Sequence, residues 1–333
     1  MSSAENEIFC LPGGSGKQKA FRPHPGRSLA KGLRLSVITL GAKDIMLQTL
    51  AYGFLNGLLY GIIALGISLV FGVMRYLNIA HGSLIILGSY GSLYLFHFGL
   101  DPFVSIPIVM ISLFLVGVLL FKLLYSNFVN LVEGTRIQKS LLVSFGLMLV
   151  IDNAATLIWT SDEKSITPSY SGMSFEVFRG FHVPLIGLAG GILAIVVIIA
   201  LHLFFSRTTF GKSVIAVSQD PEAASLMGIN VKQTFLISFA LSVCLSAIPS
   251  ALIGLQAFSP SVGIEWFNKG IIVVILGGLG NIFGVFPAGL FLGVVEAISV
   301  FFFGAPYREI TGLAIFVLIL ILFPHGLFGR IPE

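Results

Sequence analysis

Three successive stretches of this chain, between Asp44 and Arg75, between Arg75 and Asp101, and between Asp101 and Lys122, contain no Asp, Glu, Lys or Arg. An ionised group at the centre of a bilayer costs about 2.5–3.5 kcal/mol, so charge-free apolar runs of about 20 residues read as membrane-spanning helices. These give the first three spans. Across the whole chain 56% of residues are hydrophobic and 10% are charged, against about 25% charged in soluble proteins. A water-soluble fold could not cover that much apolar surface. The 333 residues have room for about eight to nine spans and little else. The fold class expected is an all-α, multi-pass protein of the cell (inner or plasma) membrane.

Further along, a polar, amphipathic connection is expected over 125–139, a fourth span over 140–160 and a polar loop over 161–181. A fifth span is expected over 182–206, a sixth over 235–258 and a last over 309–328. The stretch 270–303 carries Gly277, Gly278, Gly280, Asn281, Gly284 and Pro287. Each glycine costs a helix about 1 kcal/mol relative to alanine, so a short or broken helix followed by a full span is expected there.

Residues 1–45 differ in composition, with Lys17, Lys19, Arg22, Arg27, Lys31, Arg34 and Lys43. They read as a poorly ordered basic extension, either dispensable or the product of a mis-assigned start, with Met46 in the place of a first residue. Gly13–Lys17 looks like part of a phosphate loop, but Leu11 stands where that loop needs glycine and Gln18 where it needs Ser or Thr. No nucleotide site or other cofactor is therefore expected on this chain. Cys10 and Cys244 lie far apart in sequence, which argues against a disulfide framework. The net charge of +4 fits basic loops at one membrane face rather than nucleic-acid binding.

The loop 207–234 has the grammar of a short helix at its centre. Asp220 suits the N-cap, Pro221 the first helical position and Glu222 the first turn, while Gly228 can turn the chain out in the left-handed region. Ala223 and Ala224 leave a smooth face for another protein. A capped helix that only reverses the chain is the alternative.

Glu222-Ala223-Ala224, three residues and then Gly228 resembles the cytoplasmic loop of the membrane subunits of ABC importers. Asn78-Ile79-Ala80-His81-Gly82-Ser83, the glycine-rich 275–284 and the closing Pro324-His325-Gly326-Leu327-Phe328-Gly329 are similar to segments of permeases for branched-chain amino acids. The resemblance covers about residues 47–330 and fits the shorter of the two paired permeases. It implies a type II-like importer permease domain over 46–330, with 207–234 as the loop that couples it to the ATPase. It also implies a second homologous permease, two ATPase subunits that hold ATP and Mg, and an extracytoplasmic binding protein that selects the solute. A cytoplasmic Glu222 loop places Arg75, Arg136 and Lys139 inside, as the positive-inside tendency asks, and the basic N terminus outside.

A zwitterionic solute needs polar partners at mid-membrane, and broken helices can supply backbone N–H and C=O groups. The candidates for path or hinge are Asn78, His81, Gly82 and Ser83 at a first break and Gly277, Gly278, Gly280 and Asn281 at a second. Close helix packing is the alternative for the glycines, and a structural hydrogen bond for His81. Asp152 and Glu296 are ionisable groups inside spans. If both lined one cavity, an ion-coupled secondary carrier would be the rival reading; in an ATP-driven permease Glu296→Gln is expected to matter little. A channel or permease for urea or short amides is a third possibility. No catalytic or metal-binding spacing appears, so an enzyme is not expected.

Overall fold

The computed structural model describes residues 26–129, 131–178 and 181–328. The described residues divide into two units at Lys43/Asp44. What the sequence suggests of residues 1–25 lies outside the described residues.

Twelve helices and one hairpin follow in order among the described residues. Helix α1 (Gly26–Met74) contributes the span Met46–Met74. After an unwound stretch come α2 (His81–His97) and α3 (Pro102–Leu120), the latter prolonged by a π-helical turn and a 3-10 turn to Phe128. Next are α4 (Glu133–Trp159), the hairpin β1 (Ser174–Phe178) and β2 (Phe181–Pro184), and α5 (Leu185–Arg207). The loop that follows holds α6 (Thr209–Gln219) and α7 (Pro221–Leu226). Then α8 (Val231–Leu245) and α9 (Ala247–Gly254) together make one interrupted span, followed by α10 (Gly263–Gly277), α11 (Val285–Phe303) and α12 (Arg308–Leu322). Among the described residues, eight helical segments are long and apolar enough to cross a bilayer. The all-α membrane fold stands, with the 17-residue α2 packed beside these segments.

The boundaries differ from the sequence reading at four places, each for a local reason. The fourth span starts at Glu133, because Arg136 and the residues up to Lys139 already form its first turns. The sixth begins at Val231, capped by the Asn230 side chain, and breaks at Ser246 ahead of Pro249. The last ends at Leu322, before Pro324. The polar loop after the fourth span carries β1, and its antiparallel partner β2 takes residues 181–184, so the fifth span starts at Leu185 rather than at 182.

Burial sorts the helices into core and periphery. The membrane windows of α1 and of α8–α9 are 100% and 83% buried, whereas those of α4 and α12 are each 11% buried. α1 can be wrapped closely because small residues line its contact with α11. A methyl group on Gly57 would lie 2.8 Å from both the Gly289 carbonyl oxygen and Leu290 Cα. One on Gly293 would lie 2.6 Å from the Gly57 backbone, and Gly53 would collide with Gly293 and Ala297. Gly53, Gly57 and Gly61 against Gly289 and Gly293 form two facing small-residue ladders of the spacing that lets spans pack backbone to backbone.

The two ends of the bundle differ in chemistry. At one end Arg136 donates to the carbonyls of Met74, Val129 and Leu131 and lies over the Phe235 ring, and Arg75 pairs with Glu133. The helices α6 and α7 join this end through Val214, Val217 and Ala224, buried in one cluster with Tyr76, Tyr125 and Phe235. At the other end Asp101 caps α3 and accepts from Tyr170 Oη at 2.7 Å, so burial and the carboxylate hold that phenol above its usual range. Lys164 and Phe258 exchange backbone bonds nearby. Arg75, Arg136, Lys139, Arg207, Lys212 and Lys232 lie toward the α7 end.

Candidate functional site

The first break, residues 75–80, is held by α4 rather than left open. Leu77 N–H donates to Ser140 Oγ and Ile79 N–H to Ser144 Oγ, each at 3.1 Å, and Ser144 Oγ donates back to the Leu77 carbonyl at 3.1 Å. The expected supply of free backbone groups is thereby corrected: two serines one helical turn apart already occupy them. The side chains are what remain. Asn78, His81 and Ser83 are 3%, 1% and 1% exposed. Both amide atoms of Asn78 and the Nδ1 of His81 have no hydrogen-bond partner. His81 Nε2 meets Ser246 Oγ at 3.5 Å, and its ring presses on Gly66. Gly82 is a contact glycine, since a methyl group there would strike the Gly263 carbonyl and Phe267.

Ser140 and Ser144 are fastening positions that the sequence reading missed; their only signal was a four-residue spacing on the helix after the break. Replacing either with alanine leaves a backbone N–H unpaired, a cost of about 1–3 kcal/mol. Thermal unfolding of Ser140→Ala and Ser144→Ala in detergent should show that loss, while alanine at Ser126, half-buried and bonded only to Lys122 and Asn127 within its own turn, should show almost none.

The second break, residues 278–284, is closed on itself. Gly278 and Gly280 adopt φ of 91° and 87°, which β-carbon residues resist. Asn281 Oδ1 accepts from Phe283 and Gly284 N–H, and its Nδ2 donates to the Phe328 carbonyl at 2.8 Å. Gly277 abuts the Val285 backbone. The closing segment folds in as well, Leu327 N–H donating to the Leu276 carbonyl at 2.7 Å. This break is a capped joint between α10 and α11 with Leu327 and Phe328 bound across it.

Glu296 and Asp152 share no partner. Glu296, 1% exposed, accepts from Tyr60 Oη at 2.9 Å, Lys269 Nζ at 2.5 Å and Arg308 Nε at 2.7 Å, and Arg308 Nη2 donates to Tyr60 Oη at 2.6 Å. Glu309 stands 3.9 Å from Lys269. This knot ties α1, α10, α11 and α12 together. Lys269 and Arg308 were overlooked because each lies beside a presumed span end, where a cation is unremarkable. Asp152 is half-buried on α4, beside Ser83 Oγ.

In the connecting loop, Asp220 Oδ1 accepts from Glu222 and Ala223 N–H at 2.9 and 3.0 Å, with Pro221 opening the helix. Gly228 has φ 84° and open space around it. The two alanines divide: Ala224 is 5% exposed and packs inward, and only Ala223 faces out, which corrects the smooth double-alanine face. The outer surface is instead apolar, with Leu226 and Met227 90% and 83% exposed on a segment outside the spans. Sequence inspection missed these two.

The family model for the branched-chain amino acid transport system permease component matches residues 49–323. Among characterised relatives, the high-affinity branched-chain amino acid transport system permease protein BraD of Pseudomonas aeruginosa is 29% identical over 301 residues, covering 86% of this chain and 96% of the relative. LivH of Escherichia coli is 25% identical over 298 residues, with the same coverage of both chains. The probable branched-chain amino acid transport permease LivH of Methanocaldococcus jannaschii is 26% identical over 315 residues, covering 89% of this chain and 96% of the relative. No solved structure matches significantly.

Proposed function

Because the chain belongs to the branched-chain amino acid transport system permease family, and is thus a multi-pass membrane permease subunit, we propose that it forms half of the path of an ATP-driven importer. Branched-chain amino acids are the solutes proposed, since that is what its relatives' names state. The partners are a second permease, two ATPase subunits carrying ATP and Mg, and an extracytoplasmic binding protein.

The observation that supports coupling to ATPases is α7 itself. A capped six-residue helix at the basic end, with Leu226 and Met227 exposed and outside the spans, presents apolar surface to water that a protein groove would cover. The inward Ala224 is buried in one cluster with Val214 and Val217 of α6 and Phe235 of α8, so motion imposed on α7 passes to the spans. An ion-coupled carrier would draw on acids lining one cavity, and here Glu296 is engaged by Tyr60, Lys269 and Arg308 while Asp152 lies against Ser83.

Gly228→Val places a β-branched residue at φ 84°, a strain of about 1–3 kcal/mol confined to the end of α7. Together with Glu222→Lys it should leave insertion and folding intact and remove most ATP-driven leucine uptake in vesicles containing the assembled transporter. Full uptake by both variants, or uptake that proceeds without ATP, would sink this reading.

A further inference from the structure

The two carboxylates inside the spans stand in opposite conditions. Glu296 is satisfied by three donors. Asp152 enters none of the ion pairs among the described residues, and it sits about 10 Å in from the Trp159 end of α4 at a rise of about 1.5 Å per residue. Its neighbour Asn153 is exposed and turns its amide back to the Leu149 carbonyl, while Val150 and Leu157 nearby are 65% and 86% exposed. A half-open carboxylate at this depth is costly against lipid, and such groups face water-filled cavities or polar partners.

The inward side of Asp152 supplies a second, independent observation. Ser83, at the start of α2 and 1% exposed, has its hydroxyl beside the Asp152 carboxylate. Asn78 and His81, in the turn before it, hold unpartnered groups. The same α4 carries Ser140 and Ser144, which fasten the break. One helix therefore both shapes the broken segment and presents a carboxylate where that segment re-enters helix.

We infer that the seam between α2 and α4 at Ser83 and Asp152 lines the aqueous path, and that Asp152 receives the ammonium group of the amino acid in transit. A carboxylate offers only acceptors, the complement of an ammonium, and the Ser83 hydroxyl adds another acceptor beside it. The inference rests on the permease reading and adds to it the residue that meets the solute's positive end.

The test uses the assembled transporter in membranes, in a chain carrying Cys10→Ser and Cys244→Ser, with D152C compared with V150C. Because only a hydrated thiol ionises and reacts, D152C should be modified by a methanethiosulfonate ethylammonium reagent far faster than V150C, and saturating leucine should slow it. Asp152→Asn should lower leucine uptake about tenfold or more, the weight of one charge-assisted hydrogen bond, with Asp152→Glu partly active. Equal reactivity of D152C and V150C would show that the seam faces lipid. Absence of leucine protection with normal uptake by Asp152→Asn would remove the solute contact, and loss of the second permease on purification of Asp152→Asn would make the seam an interface; each overturns the inference. Uptake without ATP overturns the importer reading alone, since protection of D152C by leucine would persist.

Discussion

Glu296→Gln should cost about 3–5 kcal/mol of folded-state stability, the penalty for removing one member of a buried ion pair. The carboxylate is 1% exposed between Lys269 and Arg308, whose side chains are 15% and 36% exposed. Glutamine would leave two cations and the Tyr60 hydroxyl converging on a neutral amide. Gly312 leaves room beside Glu296 Oε1, so bulk is not the difficulty. Unfolding or aggregation temperature in detergent is the measurement, and Lys269→Met added to Glu296→Gln should recover part of the loss by removing the more buried cation. A Glu296→Gln protein as stable as the parent would refute the role given to the knot.

Gly57→Leu and Gly293→Leu should be at least as damaging. Each would drive a side chain into backbone on the facing helix, 2.8 Å away at Gly57 and 2.6 Å at Gly293. Overpacking costs about 1–3 kcal/mol when side chains can move aside, and backbone cannot. The expected result is failure to accumulate in the membrane or a shift to aggregates on size-exclusion chromatography. Gly146→Leu, on the exposed side of α4 with open space around it, is the control and should behave as the parent protein.

The glycine ladders show why parts of the fold escape a linear reading. Gly53, Gly57 and Gly61 recur every four residues and so do Gly289 and Gly293, but the spacing does not say which span lies opposite. The same holds for the serines of α4: Ser140 and Ser144 look like ordinary polar residues in an apolar helix until the break at 75–80 lies against them. Asp220, Pro221 and Gly228, by contrast, act within one turn of sequence, and their roles as cap, first residue and positive-φ terminus were legible directly.

Class, number of spans and the existence of both breaks were determined by the sequence alone, because the bilayer penalises every ionised group and every unpaired peptide in a way that depends on the local run of residues. Assignment of the polar groups was decided only by tertiary structure. Glu296 and Asp152 are equally conspicuous along the chain, yet one is enclosed by Tyr60, Lys269 and Arg308 from three other helices and the other opens beside Ser83. Whether a buried charge serves as a fastening or stays available depends on which donors reach it, and those donors lie 12 to 236 residues away.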